Sequence, residues 1–453
     1  MMHSGALFFP LLWLGLVFAA GPLYSAEVVE SFASEPVFGT KVRLLEAGQG
    51  QTTTLLLVHG VGDEGAEIWR GLLPELARSY HVVACDLPGF GKSDKPNVLY
   101  SPENFSKFLT WLVKRTTSGR FILVGHSLGG ALALHYAATA AVKPDKLILI
   151  DAAGILHRAV LTKFFLHFKI TDGQAYAPSA SLSWLERLAG TMVEKFQGFP
   201  VSLDLLLNSA FLRDKFLGAD PNKIAGLALV QTNFTLLIPQ VATPTFLLWG
   251  EDDEVAPLRT GRLLAMRLPQ AQLELLPAGG HVPMQRQPVA FRQALWRALQ
   301  TPPVIIPPGS AAESDRVGRC TDQEDAHFSG HYRRIELLRC QSARIVDVTT
   351  HELSAIDSHV TIERSVINGN AVGLHAVRSY LLATALDISA DLPILTEQSS
   401  FDFAGVTLKA RGKQLVGGAG NPSRLLFSVS LGQTPAGQQV LHDVFPVTAK
   451  RPL

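Results

Sequence analysis

Four short runs of almost entirely apolar residues constrain the fold of this chain more than any other feature. They occupy residues 54–58, 81–84, 121–124 and 147–150. None alternates polar with apolar residues, so each run suits a strand buried on both faces. Helical patterns lie between them, for example over residues 131–138. This alternation predicts an α/β fold with a parallel, doubly wound sheet.

The strand–helix alternation is interrupted between residues 155 and 240, where the sequence is helix-like with proline and glycine punctuation. Strand-like runs resume at 244–249 and 273–276, and an amphipathic helix is predicted over 288–299. Open α/β sheets bind ligands outside the carboxyl ends of their strands. We therefore expect residues 155–240 to form a helical lid inserted over that edge.

A proline-rich stretch over residues 301–312 follows. Such a stretch is stiff and extended, which predicts a linker after a unit spanning 40–300. A loop packed on that unit is the alternative.

The sequence pattern changes beyond the linker, in residues 313–453, where β-like runs dominate. Ser358, Ser379 and Ser400 are spaced by 21 residues, and each precedes such a run. A period near 20 residues predicts stacked coils, and this segment resembles a short right-handed parallel β-helix. A small β-sandwich is the alternative. In either case we expect an all-β C-terminal domain.

Composition narrows the functional classes. Hydrophobic residues make up 47% of the chain and charged residues 17%, which suits a folded core. The formal net charge is only +1, so no global field would attract a polyanion, and nucleic acid is not expected as a partner. No Cys/His spacing resembles a metal site. We expect neither a metal nor an organic cofactor.

The first 26 residues differ from the rest of the chain. Residues 6–20 are almost entirely apolar, and small residues lead to Ala26. This pattern predicts a signal peptide and export to the periplasm or the medium, although no lysine or arginine precedes Lys41. The alternatives are an uncleaved segment that anchors the protein in a membrane and a buried helix.

The chain has three cysteines. Cys85 ends an apolar run and is interpreted as a core thiol. Cys320 and Cys340 lie in the β-rich region, where an oxidising compartment would allow them to pair. Two unpaired buried thiols are the alternative.

The strongest catalytic motif is Gly125-His126-Ser127-Leu128-Gly129, which follows a predicted strand and opens a predicted helix. In a G-x-S-x-G elbow the turn is so tight that the flanking positions must be small. The turn exposes the Ser127 hydroxyl at the edge of the sheet. The Leu128 N–H and the helix N-terminus face the same point.

A serine hydroxyl needs a base, and the base needs a carboxylate that fixes its tautomer. Of fourteen histidines, His281 is the best placed, in a loop between the last strand-like run and a helix. Four consecutive acidic residues, 251–254, follow the strand-like run 244–249. One of them is expected to orient His281.

These motifs resemble the α/β-hydrolase superfamily, specifically its lid-bearing esterase and lipase-like branch, over about residues 40–300. Four segments carry the resemblance in chain order: His59-Gly60-Val61-Gly62, Asp86-Leu87-Pro88-Gly89-Phe90-Gly91-Lys92-Ser93, the elbow, and Gly280-His281-Val282-Pro283. The resemblance implies an oxyanion hole built from the backbone N–H groups of Val61 and Leu128. It also implies that the histidine of the last segment is the base.

The superfamily's G-x-x-D-x-x-x-P pattern maps through Gly250 and Pro257 onto Asp253, which makes Asp253 the implied acid. Asp252 is the alternative. Many relatives have a glutamate five positions after the histidine, where this chain has Arg286. That departure concerns loop packing and leaves the three catalytic positions intact. His59 and His126 are expected to have packing and ordering roles.

Together these features predict a serine hydrolase that cleaves small carboxylic esters through an acyl-serine intermediate. Leucine and phenylalanine clusters in the predicted lid favour an apolar acyl group, among them Phe164-Phe165-Leu166-His167-Phe168, Leu205-Leu206-Leu207 and Phe211-Leu212. Thioesters, peracids, C–C bonds and N-terminal prolyl peptides are open to the same triad. Ser127 excludes an aspartate nucleophile at the elbow. The alternative class is a non-catalytic binding or scaffold protein that uses the C-terminal β-domain. A β-domain that only stabilises or localises the enzyme is a further alternative.

Overall fold

The computed structural model describes residues 27–117, 119–156, 203–302 and 314–453. The predicted signal peptide, 1–26, lies outside the described residues. Most of the predicted lid and most of the predicted linker, residues 157–202 and 303–312, lie outside them as well.

Two sheets organise the described chain. The first has eight strands in the order β1-β2-β4-β3-β5-β6-β7-β8. Their bounds are β1 (Val29–Glu35), β2 (Thr40–Ala47), β3 (Thr54–Val58), β4 (His81–Cys85), β5 (Phe121–His126), β6 (Lys146–Ile150), β7 (Thr245–Gly250) and β8 (Ala271–Leu276). Strands β3 to β8 run parallel to one another. The predicted α/β class is confirmed.

Helices connect and cover these strands. Their bounds are α1 (Leu73–Leu76), α2 (Pro102–Thr116), α3 (Leu128–Thr139), α4 (Leu203–Asn208), α5 (Ala210–Leu217), α6 (Pro221–Gln231), α7 (Leu258–Arg267), α8 (Pro283–Arg286) and α9 (Pro288–Gln300); short 3-10 turns span Gly65–Trp69 and Ile238–Gln240. Alternate strand residues enter two separate cores: Leu56 and Val58 pack on the side of α2 and α3, and Leu55 and Leu57 on the side of α9. Burial on both faces explains the unbroken apolar runs.

The sheet is mixed, whereas the sequence predicted a parallel one. Strands β1 and β2 form an antiparallel pair, and β2 joins the parallel strands through an antiparallel pairing with β4. The reason is the four-residue connection between β1 and β2, since only a longer crossover allows parallel pairing. Glu35 stabilises this turn by accepting hydrogen bonds from the N–H groups of Val37, Phe38 and Thr40.

The described part of the predicted lid is helical, in α4, α5 and α6. Its apolar clusters divide between two environments. Leu206 and Leu207 are buried, whereas Leu205 and Phe211 are largely exposed. The cluster at 164–168 lies outside the described residues.

The second sheet contains fourteen strands. They are β9 (Val317–Thr321), β10 (His327–Leu338), β11 (Ala343–Ile356), β12 (His359–Asn368), β13 (Val372–Val377), β14 (Tyr380–Ala390), β15 (Leu392–Glu397), β16 (Ser400–Ala404), β17 (Thr407–Ala410), β18 (Val416–Gly418), β19 (Ser423–Ser428), β20 (Ser430–Thr434), β21 (Gly437–Leu441) and β22 (Val444–Val447). The predicted all-β character of the C-terminal region is confirmed. Its strands pair in parallel from β9 to β20, and the last two pair antiparallel with earlier strands.

A column of buried serines joins successive layers of this sheet. The Oγ of Ser379 accepts from the N–H of Ser358, Ser399 accepts from Ser379, and Ser423 accepts from Ser399, over separations of 21, 20 and 24 residues. The sequence repeat predicted Ser400 as the third member. Ser400 is exposed instead, because a step of 20 rather than 21 shifts the column by one residue and a shift of one residue changes the face of a strand.

The cysteine alternatives are resolved in the described residues. Cys320 and Cys340 form a disulfide that joins β9 to the turn after β10. Cys85 is a buried free thiol. No helix in the described ranges is long and apolar enough to span a bilayer.

Helix α7 connects the two sheets through its arginines. Arg259 donates to Thr384 Oγ1, to Asp402 Oδ1 and to two backbone carbonyls of β14 and β16 at 2.7–2.9 Å. Arg267 pairs with Asp387 at 2.7 Å and donates to the carbonyl of Gly405. Ala404, from β16, is fully buried in the core of the first sheet. The all-β region therefore docks directly on the α/β region.

We predict that Arg259→Ala lowers the free energy of unfolding by about 2–3 kcal/mol, because the hydrogen bonds from its guanidinium to β14 and β16 are lost, among them a charge-assisted one to the largely buried Asp402. Denaturant unfolding of the full chain measures this loss. Arg120→Ala is the matched control, since it breaks an exposed pair with Asp145 and should cost less than about 1 kcal/mol. Equal losses in the two variants would contradict the docking role.

Candidate active site

The elbow lies where β5 ends and α3 begins. Ser127 has φ 53° and ψ −119°, a strained conformation for a residue with a side chain. The two glycines of the motif, Gly125 and Gly129, lie where no side chain would fit. A Cβ on Gly125 would lie 2.2 Å from the Gly129 carbonyl oxygen, and a Cβ on Gly129 would lie 2.4 Å from the carbonyl oxygen of Val58. The glycines of the motif are thus required by packing, as the sequence predicted.

His281 lies in the loop between β8 and α8, beside Ser127. Its Nε2 is 2.8 Å from Ser127 Oγ, although the two residues are 154 positions apart in the chain. Its Nδ1 is 2.9 Å from Asp253 Oδ2. With the proton on Nδ1, Nε2 is left as an acceptor for the serine hydroxyl proton.

Asp253 lies in the loop after β7, and its side chain is completely buried. Its Oδ1 accepts hydrogen bonds from the N–H groups of Val255 and Ala256 at 2.7 and 2.9 Å. Its other oxygen faces His281. Two backbone donors and an imidazole N–H therefore fix this carboxylate in one orientation.

Asp252, the alternative acid, has a different set of partners. Its Oδ1 accepts from the N–H of Gly280 at 2.8 Å, and its Oδ2 pairs with Arg286 at 3.0 Å. The Gly280 hydrogen bond lowers the pKa of Asp252, with a smaller contribution from Arg286. Asp252 thus holds the loop that carries His281. The departure at Arg286 concerns this loop, as expected.

The predicted oxyanion segment lies against the serine. A Cβ on Gly60 would lie 2.8 Å from Ser127 Cβ and 3.4 Å from Ser127 Oγ, so the backbone leading to Val61 passes beside the hydroxyl. Leu128 is the first residue of α3, where N–H groups have no carbonyl partner within the helix. Gly62, which follows Val61 in the oxyanion segment, donates its N–H to Asn222 Oδ1 at 3.1 Å.

Asn222 is a contact that sequence reasoning missed. It lies in the first turn of α6, in the predicted lid, 160 residues from Gly62. Nothing in the local sequence distinguishes it from other polar residues, since only the packing of α6 against the loop creates the contact.

Two buried histidines order the site in neutral form. His59 Nε2 accepts from the N–H of Leu87 at 2.9 Å, so its Nδ1 carries the proton and donates to the Gly60 carbonyl. Burial lowers the pKa of His59. His126 Nε2 is 2.7 Å from the His281 carbonyl oxygen, and burial lowers the pKa of His126 to about 3. Both therefore remain uncharged at neutral pH and hold the two loops that meet at Ser127.

In the part of the chain that the structure describes, no group of three or more His, Cys, Asp or Glu side chains could hold a metal ion. The chemistry available at this site is that of a hydroxyl, an imidazole, a buried carboxylate and backbone N–H donors. That set is suited to acyl transfer.

Comparison with known proteins defines the class. A family model of the alpha/beta hydrolase fold matches residues 53–284. The chain belongs to this family, and it is an enzyme of the α/β-hydrolase type.

Several relatives are similar over little more than half of the chain. The 2-hydroxy-6-oxo-6-(2'-aminophenyl)hexa-2,4-dienoic acid hydrolase of Metapseudomonas resinovorans is 27% identical over 56% of this chain and 86% of its own length. Lipase 1 of Psychrobacter immobilis is 27% identical over 54% of this chain and 76% of its own. Among solved structures, a hydrolase from Pseudomonas aeruginosa PA01 is 21% identical, with a TM-score of 0.45, over 60% of this chain and 98% of that one.

The packing of the elbow generates a direct prediction. Gly129→Ala would place a Cβ 2.4 Å from the Val58 carbonyl oxygen, so the elbow or the end of β3 must move. We expect at least a hundredfold loss of Ser127 reactivity toward a fluorophosphonate probe, since small displacements of reacting groups cost about that much. Gly71→Ala, where a Cβ meets nothing within 4 Å, is the matched control. Unchanged labelling of Gly129→Ala would contradict this account of the elbow.

Proposed function

We propose that this enzyme is a serine hydrolase that cleaves carboxylic esters through an acyl-serine intermediate. In this proposal Ser127 is the nucleophile, His281 the base and Asp253 the acid that orients the base. The hydrogen-bonded series from Ser127 Oγ through the His281 ring to Asp253 Oδ2 is the observation that carries it.

The reaction follows from these contacts. His281 Nε2 takes the Ser127 proton as Oγ attacks the ester carbonyl, and the resulting imidazolium is stabilised by Asp253. The N–H groups of Val61 and Leu128 are the proposed oxyanion donors, each worth about 3–4 kcal/mol in a comparable site. The imidazolium then protonates the leaving alcohol. In the second half, His281 activates a water that cleaves the acyl-serine and releases the acid.

We propose a small substrate with an apolar acyl group. The described part of the predicted lid contributes apolar residues such as Leu206 and Ile224 to the core that α2 and α3 share, and Asn222 in α6 ties it to the oxyanion segment. One relative is named a lipase and another a hydrolase of a substituted hexa-2,4-dienoic acid. The names differ, so thioesters, peracids, C–C bonds and N-terminal prolyl peptides belong in the test panel beside esters of graded chain length.

The triad proposal predicts that a fluorophosphonate probe labels the wild-type chain and fails to label Ser127→Ala. Asp253→Asn should lower ester turnover by roughly ten thousandfold, because an amide cannot hold the required imidazole tautomer. Gel fluorescence and initial rates on a p-nitrophenyl ester series measure both effects.

Asp252→Asn is the matched control for the acid. Its amide oxygen can still accept from Gly280, and the lost ion pair with Arg286 is exposed, so turnover should fall by less than about tenfold. A larger loss for Asp252→Asn than for Asp253→Asn would reverse the assignment of the acid. Absence of both labelling and turnover in the wild type would favour a non-catalytic scaffold.

For the C-terminal region we propose a short parallel β-helix rather than a sandwich. Parallel pairing of β10, β11, β12, β14 and β16 in sequence order supports it, as does the serine column. An experimental structure of the full chain with antiparallel pairing among these strands would contradict it. The predicted division into units at 40–300 and 313–453 is part of the same proposal, with β1 added to the first unit because it pairs with β2.

We also propose that the protein is exported, to the periplasm or the medium, with residues 1–26 removed as a signal peptide. The disulfide between Cys320 and Cys340 supports an oxidising compartment. The prediction is that protein recovered from the periplasm or medium starts near Glu27, as read by N-terminal sequencing. Recovery from the membrane fraction with residues 1–26 intact would instead indicate an anchored protein.

A further inference from the structure

One carboxyl group beside the catalytic cluster has no place in the proposed mechanism. Asp151 directly follows β6, the strand between β5 and β7 in the sheet. It is fully buried and has φ 44°, a left-handed conformation that aspartate tolerates better than most residues. Its N–H donates to the Leu248 carbonyl of β7, which fixes its backbone at the edge of the sheet where Ser127 and Asp253 lie.

The two oxygens of Asp151 are in unequal environments. Oδ1 accepts from the N–H of Gly250 at 2.8 Å. Oδ2 is buried and has no partner at normal hydrogen-bond geometry in the described ranges. Asp253 is held at the same residue of β7, because its N–H donates to the Gly250 carbonyl at 3.3 Å while the Gly250 N–H donates to Asp151. A buried carboxylate oxygen without a donor is unfavourable, whereas a protonated oxygen could donate toward Asp253.

Asp253 is the better stabilised anion of the two. It accepts from two backbone N–H groups and faces the His281 Nδ1 proton, whereas Asp151 accepts from one backbone N–H group. Two anions in contact in a buried site repel each other, so such pairs hold one proton between them. Asp253 has three hydrogen-bond donors to stabilise its negative charge and Asp151 has one. The shared proton is therefore expected on Asp151.

We propose that Asp151 is a positioning residue that remains protonated and directs its O–H toward the carboxylate of Asp253, so that the two aspartates share one negative charge. This inference rests on the proposed function of Asp253. The protonated Asp151 would give Asp253 a hydrogen bond from the end of β6, in addition to those from its own loop. Because Asp151 is neutral, it would also place no second negative charge near the His281 imidazole.

The groups that face Asp151 agree with a neutral side chain. Asp253 and Asp252 approach from the loop after β7, the Gly250 N–H from β7 itself, and His281 lies beyond Asp253. Burial raises the pKa of Asp151 well above its ordinary range, and the charge of Asp253 raises it further. The hydrogen bond from the Gly250 N–H lowers this pKa, but its effect is smaller than the combined effect of burial and the Asp253 charge.

Infrared spectroscopy of the full chain tests the protonation directly and independently of enzymatic activity. At neutral pH the wild type should show the C=O stretching band of a protonated carboxyl group, and Asp151→Asn should lack that band. Asp63→Asn, which changes an exposed aspartate, is the matched control and should keep it. A band that persists in Asp151→Asn, or is missing from the wild type, would overturn the proposal even if the enzyme proves to be an esterase.

Kinetics test the positioning role. Asp151→Asn keeps a neutral donor, so the rate of fluorophosphonate labelling should stay within about threefold of the wild type and the acid limb of its pH profile should not move. Asp151→Leu keeps the approximate volume but has no donor, and labelling should fall at least tenfold. Thermal unfolding of both variants checks that they fold.

Two kinetic outcomes would overturn the proposal. If Asp151 were ionised, Asp151→Asn would remove a negative charge near His281 and shift the acid limb to lower pH. If a folded Asp151→Leu labelled at the wild-type rate, Asp151 would position nothing. An enzyme that is never labelled, but shows the infrared band, would instead contradict the proposed function and leave the protonation intact.

Discussion

The strained backbone of Ser127 is the constraint on which the rest of the site depends. Its φ of 53° is sustained by hydrogen bonds on both sides: its N–H donates to the Ile150 carbonyl, and its own carbonyl accepts from Gly130, Ala131 and Ala153. These bonds join β5, α3 and the end of β6 at one point. Because Gly129 has no side chain, the end of β3 approaches the elbow closely, and Gly60 beyond it leaves no space for a Cβ beside the serine.

The loop that carries His281 lies beside this hydroxyl and is held from three directions. Asp253 accepts a hydrogen bond from the His281 imidazole, and the neutral His126 donates one to the His281 carbonyl. Asp252 accepts one from the N–H of the preceding residue, Gly280. The three contacts come from two other strand ends, β5 and β7. Such preorganisation reduces the reorganisation required during reaction, which is how electrostatic stabilisation becomes effective.

The sequence was informative where local chemistry determines the structure. The strand runs are apolar because both faces are buried, and the elbow glycines stand at fixed positions on either side of the serine, so both could be predicted. Other features depend on packing between distant segments. Asn222, Asp151 and the column position of Ser399 are ordinary polar residues in the sequence, and their partners lie on other elements. The antiparallel β1–β2 pair was missed because β1 lies before the predicted start of the unit.

The docking of the all-β region bears on the site through α7. This helix begins at Leu258, one residue after the loop that carries Asp253, and its Gly261 packs on the ring of Trp249. Trp249 in turn donates from Nε1 to the carbonyl of Ala256 within that loop. Arg259, in the first turn of α7, is bound to β14 and β16. A displacement of the all-β region would therefore move the helix that directly follows the loop of Asp253. The all-β region could thus affect activity by supporting this loop as well as by binding substrate. Deleting the region would remove both effects at once and would not distinguish them.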